Sequence, residues 1–420
     1  MAAMAERTSD VLIVGGGVIG LACAWYLLRA GRSVTVLERG RPGDGASHGN
    51  CGTITPSHAP PLPEPGVIGR ALKWMLKPDA PLYIRPRLDP ALWRWLLKFM
   101  AHSNARDHAR GARIRAGLLN ASYEALGTLL DEAGIDCGLQ RSGLLYVFRS
   151  AQYLEAHAGL PESLQPLGIT AELWDGARME REEPALRPGV TGGIWFPGDA
   201  SLRPDQLVAG LTRAVREAGG EIVENTPVDG FEIGGERVTA LRSGGRRWAA
   251  GEVVLATGAW SPALARELGL RLPIQPGKGY SLTFARPALA PRRALVLKEP
   301  SVCVTTWADG LRLGSTMEFS GYDERLNPVR LAALRRGAAE FLHEPGAGEP
   351  VESWYGWRPM TWDDLPVIGR APRLRNLVIA SGHGMLGVSM APVTGMLVRD
   401  LLLGRPPALD LEPLSPARFA

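Results

Sequence analysis

Residues 11–21 read Val11-Leu12-Ile13-Val14-Gly15-Gly16-Gly17-Val18-Ile19-Gly20-Leu21. Four apolar residues in a row fit a short strand buried on both faces, as in a parallel sheet. The run breaks into Gly15-x-Gly17-x-x-Gly20, and an apolar helical pattern follows from about 21 to 29, stopped by Gly31. A second strand is expected over 33–37, ending on Glu38. Strand, glycine turn, helix and strand in this compass form a βαβ unit. Gly15 makes the tight turn, Gly17 lets the backbone approach a pyrophosphate, and Gly20 lets helix and strand touch. The helix start at Val18 and Ile19 offers unpaired N–H groups and positive potential to phosphates. Glu38 then accepts ribose hydroxyls, with Arg39 beside it at the same site. The stretch predicts an α/β protein with a Rossmann-like dinucleotide-binding domain.

The chain has 420 residues, enough for two or three domains with a large core. Its 47 Lys and Arg against 43 Asp and Glu leave too small a basic excess for nucleic-acid binding. Cys23, Cys51, Cys137 and Cys303 are too few and too scattered for a disulfide framework, a zinc site or an iron–sulfur cluster. Reduced thiols, no metal and a cytoplasmic location are the expectation. Residues 1–10 carry acids and lack the apolar core of a signal peptide. Residues 377–398 hold no Lys, Arg, Asp or Glu, but their glycines and Pro392 suit a buried strand, a turn and a buried helix better than a membrane span.

Organisation follows the same cues. A proline-rich loop covers 56–65, a long helix 114–133, and a second helix 204–218. Strands are expected at 143–148, 192–196, 221–224, 228–233, 237–242 and 253–256, with β-rich stretches at 274–284 and 294–315. This layout predicts a nucleotide domain assembled from residues 1–61, 201–271 and 357–420. A second domain, with a mixed β-sheet and helices, is inserted as residues 62–200 and 272–356. Two later segments favour flavin over nicotinamide. Residues 253–260 are a buried strand ending in a small-residue turn, with Thr257 and Gly258 placed beneath a dinucleotide. Residues 381–387 put a second glycine turn before a helix, so Gly384, Met385, Leu386 and Gly387 would aim a helix N-terminus at the flavin N1/O2 edge.

With these segments in view, the chain resembles the D-amino-acid oxidase family of FAD enzymes, and within it the bacterial D-amino acid and D-hydroxyproline dehydrogenases. The resemblance rests on the fingerprint at 15–20 and on Ser47-His48-Gly49-Asn50-Cys51-Gly52, Lys73-Trp74-Met75, Ala80-Pro81-Leu82 and Ile84-Arg85-Pro86. It extends to Gly277-Lys278-Gly279-Tyr280-Ser281, Trp357-Arg358-Pro359-Met360 and Gly382-His383-Gly384-Met385-Leu386-Gly387. It implies non-covalent FAD and oxidation of a D-amino acid, with D-proline or cis-4-hydroxy-D-proline in one branch, to the imino acid by hydride transfer to flavin N5. Electrons would pass to a quinone or another respiratory acceptor rather than oxygen. The alternatives are an oxidase of the glycine or sarcosine oxidase type, and the flavin subunit of a heteromeric dehydrogenase. His48 and Cys51 depart from the Ser-Phe-Ala-Asn-Ala-Gly pattern of the dehydrogenase subgroup, as does Pro392-Val393-Thr394 from a more polar run.

Residue roles follow. Arg358 matches the family's carboxylate-binding arginine, and its planar fork suits a bidentate clamp. Tyr280 is expected either to share that carboxylate or to be a half-buried strand tyrosine, and Lys278 either to sit over the flavin or to face solvent. His48 and His383 are assigned to the flavin's surroundings without acid–base roles. His48 lies one position off the histidine that carries covalent flavin in related dehydrogenases. Ser47, Asn50 and Gly52 are expected against the ring system, and the backbone at Val228 against the adenine. Finally, residues 67–100 hold seven basic residues, two acidic ones and Trp74, Trp93 and Trp95. That composition suits a helix lying on a membrane surface, so the chain is expected to dock peripherally on the inner face of the cell membrane.

Overall fold

A computed structural model of the protein describes residues 7–69 and 80–419. The motif Lys73-Trp74-Met75 and the basic residues Arg70 and Lys77 lie outside the described residues.

The opening strand, Arg7–Val14, runs in parallel between Val34–Leu37 and the long strand Arg246–Leu255. Its inner residues are buried on both faces, as the unbroken apolar run predicts. Val11 and Ile13 join one core cluster, Leu12 and Val14 another. The helix Val18–Arg29 packs over the first face together with Gly387–Leu403 and Pro204–Glu217. Glu221–Val223 extends the sheet beyond Val34–Leu37, and Leu374–Ser381 pairs in parallel with the end of Arg246–Leu255. Gly230–Gly234 and Arg237–Ser243 complete it as an antiparallel flap, and Val367–Ala371 pairs with Leu374–Ser381, giving eight strands. Arg246–Leu255 starts seven residues before the expected 253–256. Its polar beginning pairs across the turn with Arg237–Ser243, so the apolar run marks only the buried half.

The second sheet has nine strands and is mixed. Its order runs Glu352–Met360, Gln275–Ala285, Gly310–Phe319, Val302–Thr306, Ala294–Leu297, Leu144–Phe148, Gly192–Phe196 and Glu172–Asp175. Leu82–Ile84 adds to Gly310–Phe319 in parallel, and Ala294–Leu297 lies parallel to Leu144–Phe148. The helix Pro328–Phe341 covers one face through Leu334, Ala338 and Phe341. Strand Glu352–Met360 runs through the expected division between residues 356 and 357, so Arg358 is carried on the second sheet.

The glycine fingerprint fixes how closely strand and helix approach. A methyl at Gly20 would overlap the Gly15 carbonyl oxygen, and one at Gly15 would sit 2.6 Å from the Ala256 carbonyl oxygen. Gly20→Ala is expected to cost about 2 kcal/mol or more of stability by overpacking. Gly117→Ala, within the helix Ala105–Glu132 and with nothing within 4 Å of the added methyl, is expected to gain about 0.5–1 kcal/mol. Urea melts of the two variants beside the parent protein measure both.

Candidate active site

A cavity of about 910 Å³ takes its walls from both sheets. At one end Gly15, Gly17, Val18 and Ile19 form its floor, with Glu38, Arg39, Val228, Thr257 and Gly258 around them. Gly20 lies behind this floor, where it allows the packing just described. Glu38 is held by two backbone donors, Gly16 N–H at 2.6 Å and Gly40 N–H at 2.9 Å, which fixes its carboxylate beside the turn. The Arg39 guanidinium stacks 3.7 Å from the Trp260 ring centre. Ser47 Oγ accepts from Val18 N–H at 3.1 Å, so a hydroxyl sits at the helix start. Hydroxyls of Thr257, Ser261 and Ser381 bond in sequence at 3.0 and 2.8 Å and tie the Thr257-Gly258 turn to the end of Leu374–Ser381.

Midway, Asn50 folds its loop: Nδ2 donates to Ser47 O at 2.6 Å and Oδ1 accepts from Gly52 N–H at 2.7 Å. Asn50 lines the cavity, whereas Gly52 lies behind it, its backbone pressed on the Leu202 carbonyl. Gly384, Met385, Leu386 and Gly387 line the opposite wall. The helix Gly387–Leu403 begins there with no side-chain cap and no acid in its first turn, and Gly387 and Val388 are part of the wall. A glycine floor too tight for side chains and two helix starts along one elongated cavity fit a dinucleotide flavin.

At the far end Arg358 Nη1 donates to Thr316 O at 2.7 Å. Among the described residues no carboxylate lies within ion-pair distance of Arg358. Burial lowers its pKa, countered only by Cys51 and Cys303. Two features make room for the guanidinium. A methyl at Gly279, on the neighbouring strand, would overlap it. Gly310–Phe319 bulges opposite Gly279, with Ser315 at φ 129° and Thr316 at φ 60°, and this turns the Thr316 carbonyl toward Arg358. Such angles are strained for residues with a Cβ, above all for β-branched Thr.

The same alternation decides between the two expectations for Tyr280 in favour of a strand tyrosine packed into the core. Side chains along Gln275–Ala285 alternate faces, so with Gly279 toward Arg358, Tyr280 points the other way, into the core with Leu282 and Phe284. Its hydroxyl donates to Glu318 at 3.0 Å, although the residue also forms part of the cavity wall. Lys278, on that face too, donates to the carbonyls of Asp323 and Arg325 at 2.5 Å; it neither covers the flavin site nor faces solvent. The expectation for His48 also changes. Its ring turns to Glu352, Nε2 to Oε1 2.7 Å, and is not part of the cavity wall. Arg312 holds that arrangement by donating to Glu352 at 3.1 Å and to the Asn50 carbonyl at 2.9 Å. His383 does line the cavity; its Nε2 meets Thr394 Oγ1 at 2.9 Å, and burial pushes its pKa down to about 3, so the ring is neutral. Sequence reading overlooked Tyr146, His58, Lys298 and Cys303, which share the wall with Arg358. Its one available signal was Ser57-His58 within the proline-rich loop.

The whole chain falls into one family. Residues 10–401 match the model of the FAD dependent oxidoreductases, and the protein belongs to that family. More particularly, it is 38% identical over 419 residues to a D-amino acid dehydrogenase of Paramagnetospirillum magneticum, covering 97% of this chain and 98% of that one. It is 34% identical to one of Granulibacter bethesdensis, covering 98% and 99%. Among solved structures it is similar to glycine oxidase from Geobacillus kaustophilus, with TM-score 0.79 and 26% identity over 98% of both chains. It shares its fold with an L-proline dehydrogenase from P. horikoshii, with TM-score 0.75 and 20% identity over 99% and 98%.

The His48–Glu352 pair raises the pKa of His48, chiefly through the hydrogen bond, and the same bond lowers that of Glu352. The histidine's contribution to stability is therefore whole below its unfolded pKa and disappears as pH rises through its folded one. His48→Ala is expected to keep the flavin spectrum and lower Tm, with the deficit shrinking as pH rises above the ordinary histidine range. Thermal melts across and above that range, with absorbance spectra, check it.

Proposed function

We propose that this protein is an FAD-dependent D-amino acid dehydrogenase that converts a D-amino acid to its imino acid and passes the electrons to a membrane quinone. The observation that carries the reading is Arg358: a half-buried cation in the wall of the cavity that the glycine turn lines, without a carboxylate partner among the described residues. A half-buried guanidinium in that state favours a small carboxylate, which it can grip with two parallel N–H donors. The names of the 34–38% identical relatives agree.

Bound FAD supplies the acceptor, at N5, for the hydride that leaves the substrate α-carbon. This chain's residues would do the rest. Gly15, Gly17, Val18, Ile19 and Glu38 hold the nucleotide half non-covalently, with Arg39, Val228, Thr257 and Gly258 along its sides. Ser47, Asn50 and residues 384–387 enclose the ring half. Arg358 orients the substrate, and neutral His383 keeps this end apolar. With His48 turned to Glu352, the chain supports FAD held without a covalent bond.

A quinone acceptor requires access to a lipid surface. Helix Pro90–His102 leaves Trp93 and Leu97 54% and 59% exposed, with Met100 one turn further on the same stripe and Arg94 and Lys98 beside it. Apolar residues flanked by bases support peripheral docking on the cytoplasmic membrane face. No helix among the described residues is long and apolar enough to cross a membrane. The likeness to glycine oxidase supports a second reading, in which oxygen takes the electrons.

Anaerobic bleaching of the flavin band by D-alanine, D-proline or cis-4-hydroxy-D-proline, but not by the L-enantiomers, is the expected result. No bleaching by any D-amino acid would overturn the assignment. Gly279→Ala is expected to weaken the fastest substrate about tenfold or more, equivalent to about 1.5 kcal/mol, at unchanged flavin content; rapid-mixing titration measures it. Flotation with anionic liposomes at low salt, abolished by Trp93→Glu with Leu97→Glu, tests docking. Hydrogen peroxide released at the turnover rate would favour the oxygen reading.

A further inference from the structure

Four side chains form a hydrogen-bonded chain leading from the cavity wall into the interior. The Tyr146 hydroxyl lies 3.3 Å from His58 Nε2. His58 Nδ1 lies 3.3 Å from Ser57 Oγ. Ser57 Oγ donates to Asp199 Oδ2 at 2.5 Å, and Ser57 N–H donates to Asp199 Oδ1 at 3.1 Å. Tyr146 and His58 line the same cavity as Arg358; Asp199 is 1% exposed, and no cation lies within ion-pair distance of it among the described residues.

The direction of this chain follows from donor counting. The only hydrogen on Ser57 Oγ goes to Asp199, so toward His58 the oxygen must accept. His58 therefore carries its hydrogen on Nδ1, and Nε2 is left with a lone pair. Tyr146 must donate to that lone pair. Its remaining oxygen lone pair is then the open, proton-accepting end of a chain in which every donor points toward Asp199.

Only one member of the chain can keep a proton it receives. Burial, with the Lys298 and Arg115 cations facing it, holds the His58 pKa down to about 3, so the ring resists charging. Burial and the nearby Asp199 and Cys303 raise the Tyr146 phenol, so phenolate does not accumulate. Burial pushes Asp199 up to about 7 against its bonds to Ser57, which makes it a carboxylate ready to take a proton near neutral pH.

We propose that Tyr146, His58 and Ser57 form a relay that carries a proton from the substrate ammonium, clamped at Arg358, to Asp199. One N–H bond breaks at the amine and one O–H bond forms at Asp199. Each group between them takes one proton and gives one, and His58 exchanges one neutral tautomer for the other. No electrons move in this step, so it needs no co-reactant. The freed nitrogen lone pair is the one required to build the C=N bond as hydrogen leaves the α-carbon. Tyr146 is a catalytic residue in this scheme; His58, Ser57 and Asp199 act through it.

The inference rests on the amino acid dehydrogenase reading, and the test separates the two. Anaerobic flavin reduction by D-alanine and by cis-4-hydroxy-D-proline is followed across pH in the parent protein and in Asp199→Asn, Ser57→Ala and Tyr146→Phe. With the relay, the parent rate falls as pH drops below about 7, where Asp199 is already protonated. The variants lose tenfold or more at neutral pH and recover at alkaline pH, in proportion to free amine in solution. Infrared difference spectra of the parent, recorded on adding substrate, gain the carbonyl band of a protonated carboxylic acid, which Asp199→Asn and Tyr146→Phe lack. Flavin content confirms that each variant is folded, and Ser57→Ala breaks the chain while leaving Asp199 in place. Variants that follow the parent pH profile, with an unchanged infrared band, overturn the relay. A parent protein whose flavin neither substrate reduces overturns the dehydrogenase reading instead.

Discussion

The contact on which the rest depends is the bare backbone approach at Gly15 and Gly20. Three chain segments meet there: the strand Arg7–Val14, the helix starting at Val18, and the end of Arg246–Leu255. The Gly15 carbonyl rests on the Cα of Gly20, and the Gly15 Cα rests on Ala256, with no room for a methyl at either place. That closeness keeps the helix N-terminus against the sheet edge, with Val18 and Ile19 in the cavity wall. It also sets the level of the Thr257-Gly258 turn and, through the Ser261 and Ser381 hydroxyls, of the second glycine turn. One steric fact thus aligns both helix starts along a single ligand.

The opposite end is organised by charge. A half-buried guanidinium needs partners, and here, among the described residues, the backbone supplies one carbonyl. The sheet accommodates it by omission and by strain: no side chain at Gly279, and two residues with positive φ at the bulge. Backbone strain of this kind costs about 1–3 kcal/mol per residue and persists where the surroundings enforce it. The arrangement trades backbone comfort for a guanidinium without a carboxylate partner among the described residues, set in the wall of the cavity.

How legible this was depended on the range over which each residue's environment is decided. The fingerprint, the buried strand 11–14 and the turn at 381–387 were readable because local backbone sterics and unbroken apolar runs determine them. The mixed second sheet followed from its short strands and turns. Tyr280 was left between two readings because a strand's period of two does not say which phase faces the cavity; Gly279 settles it, and only once Arg358 is seen across from it. His48 was misread because its partner Glu352 lies 304 residues away in the chain. Asp199 gave no signal at all, since its meaning comes from Ser57, 142 residues earlier, and from burial that no composition reports.

The strand order of the first sheet has a consequence for how the chain is made. The two strands that leave the ribosome first, Arg7–Val14 and Val34–Leu37, are neighbours in the finished sheet. Their outer edges are completed only by Arg246–Leu255 and Glu221–Val223. Throughout the intervening synthesis, a nascent pair of apolar strands carries two open edges while the whole second sheet's first half is translated between them. Long-range closure of this kind is slow and exposes sticky edges. The first strands to be made therefore wait through some two hundred residues of synthesis for the neighbours that cover their edges.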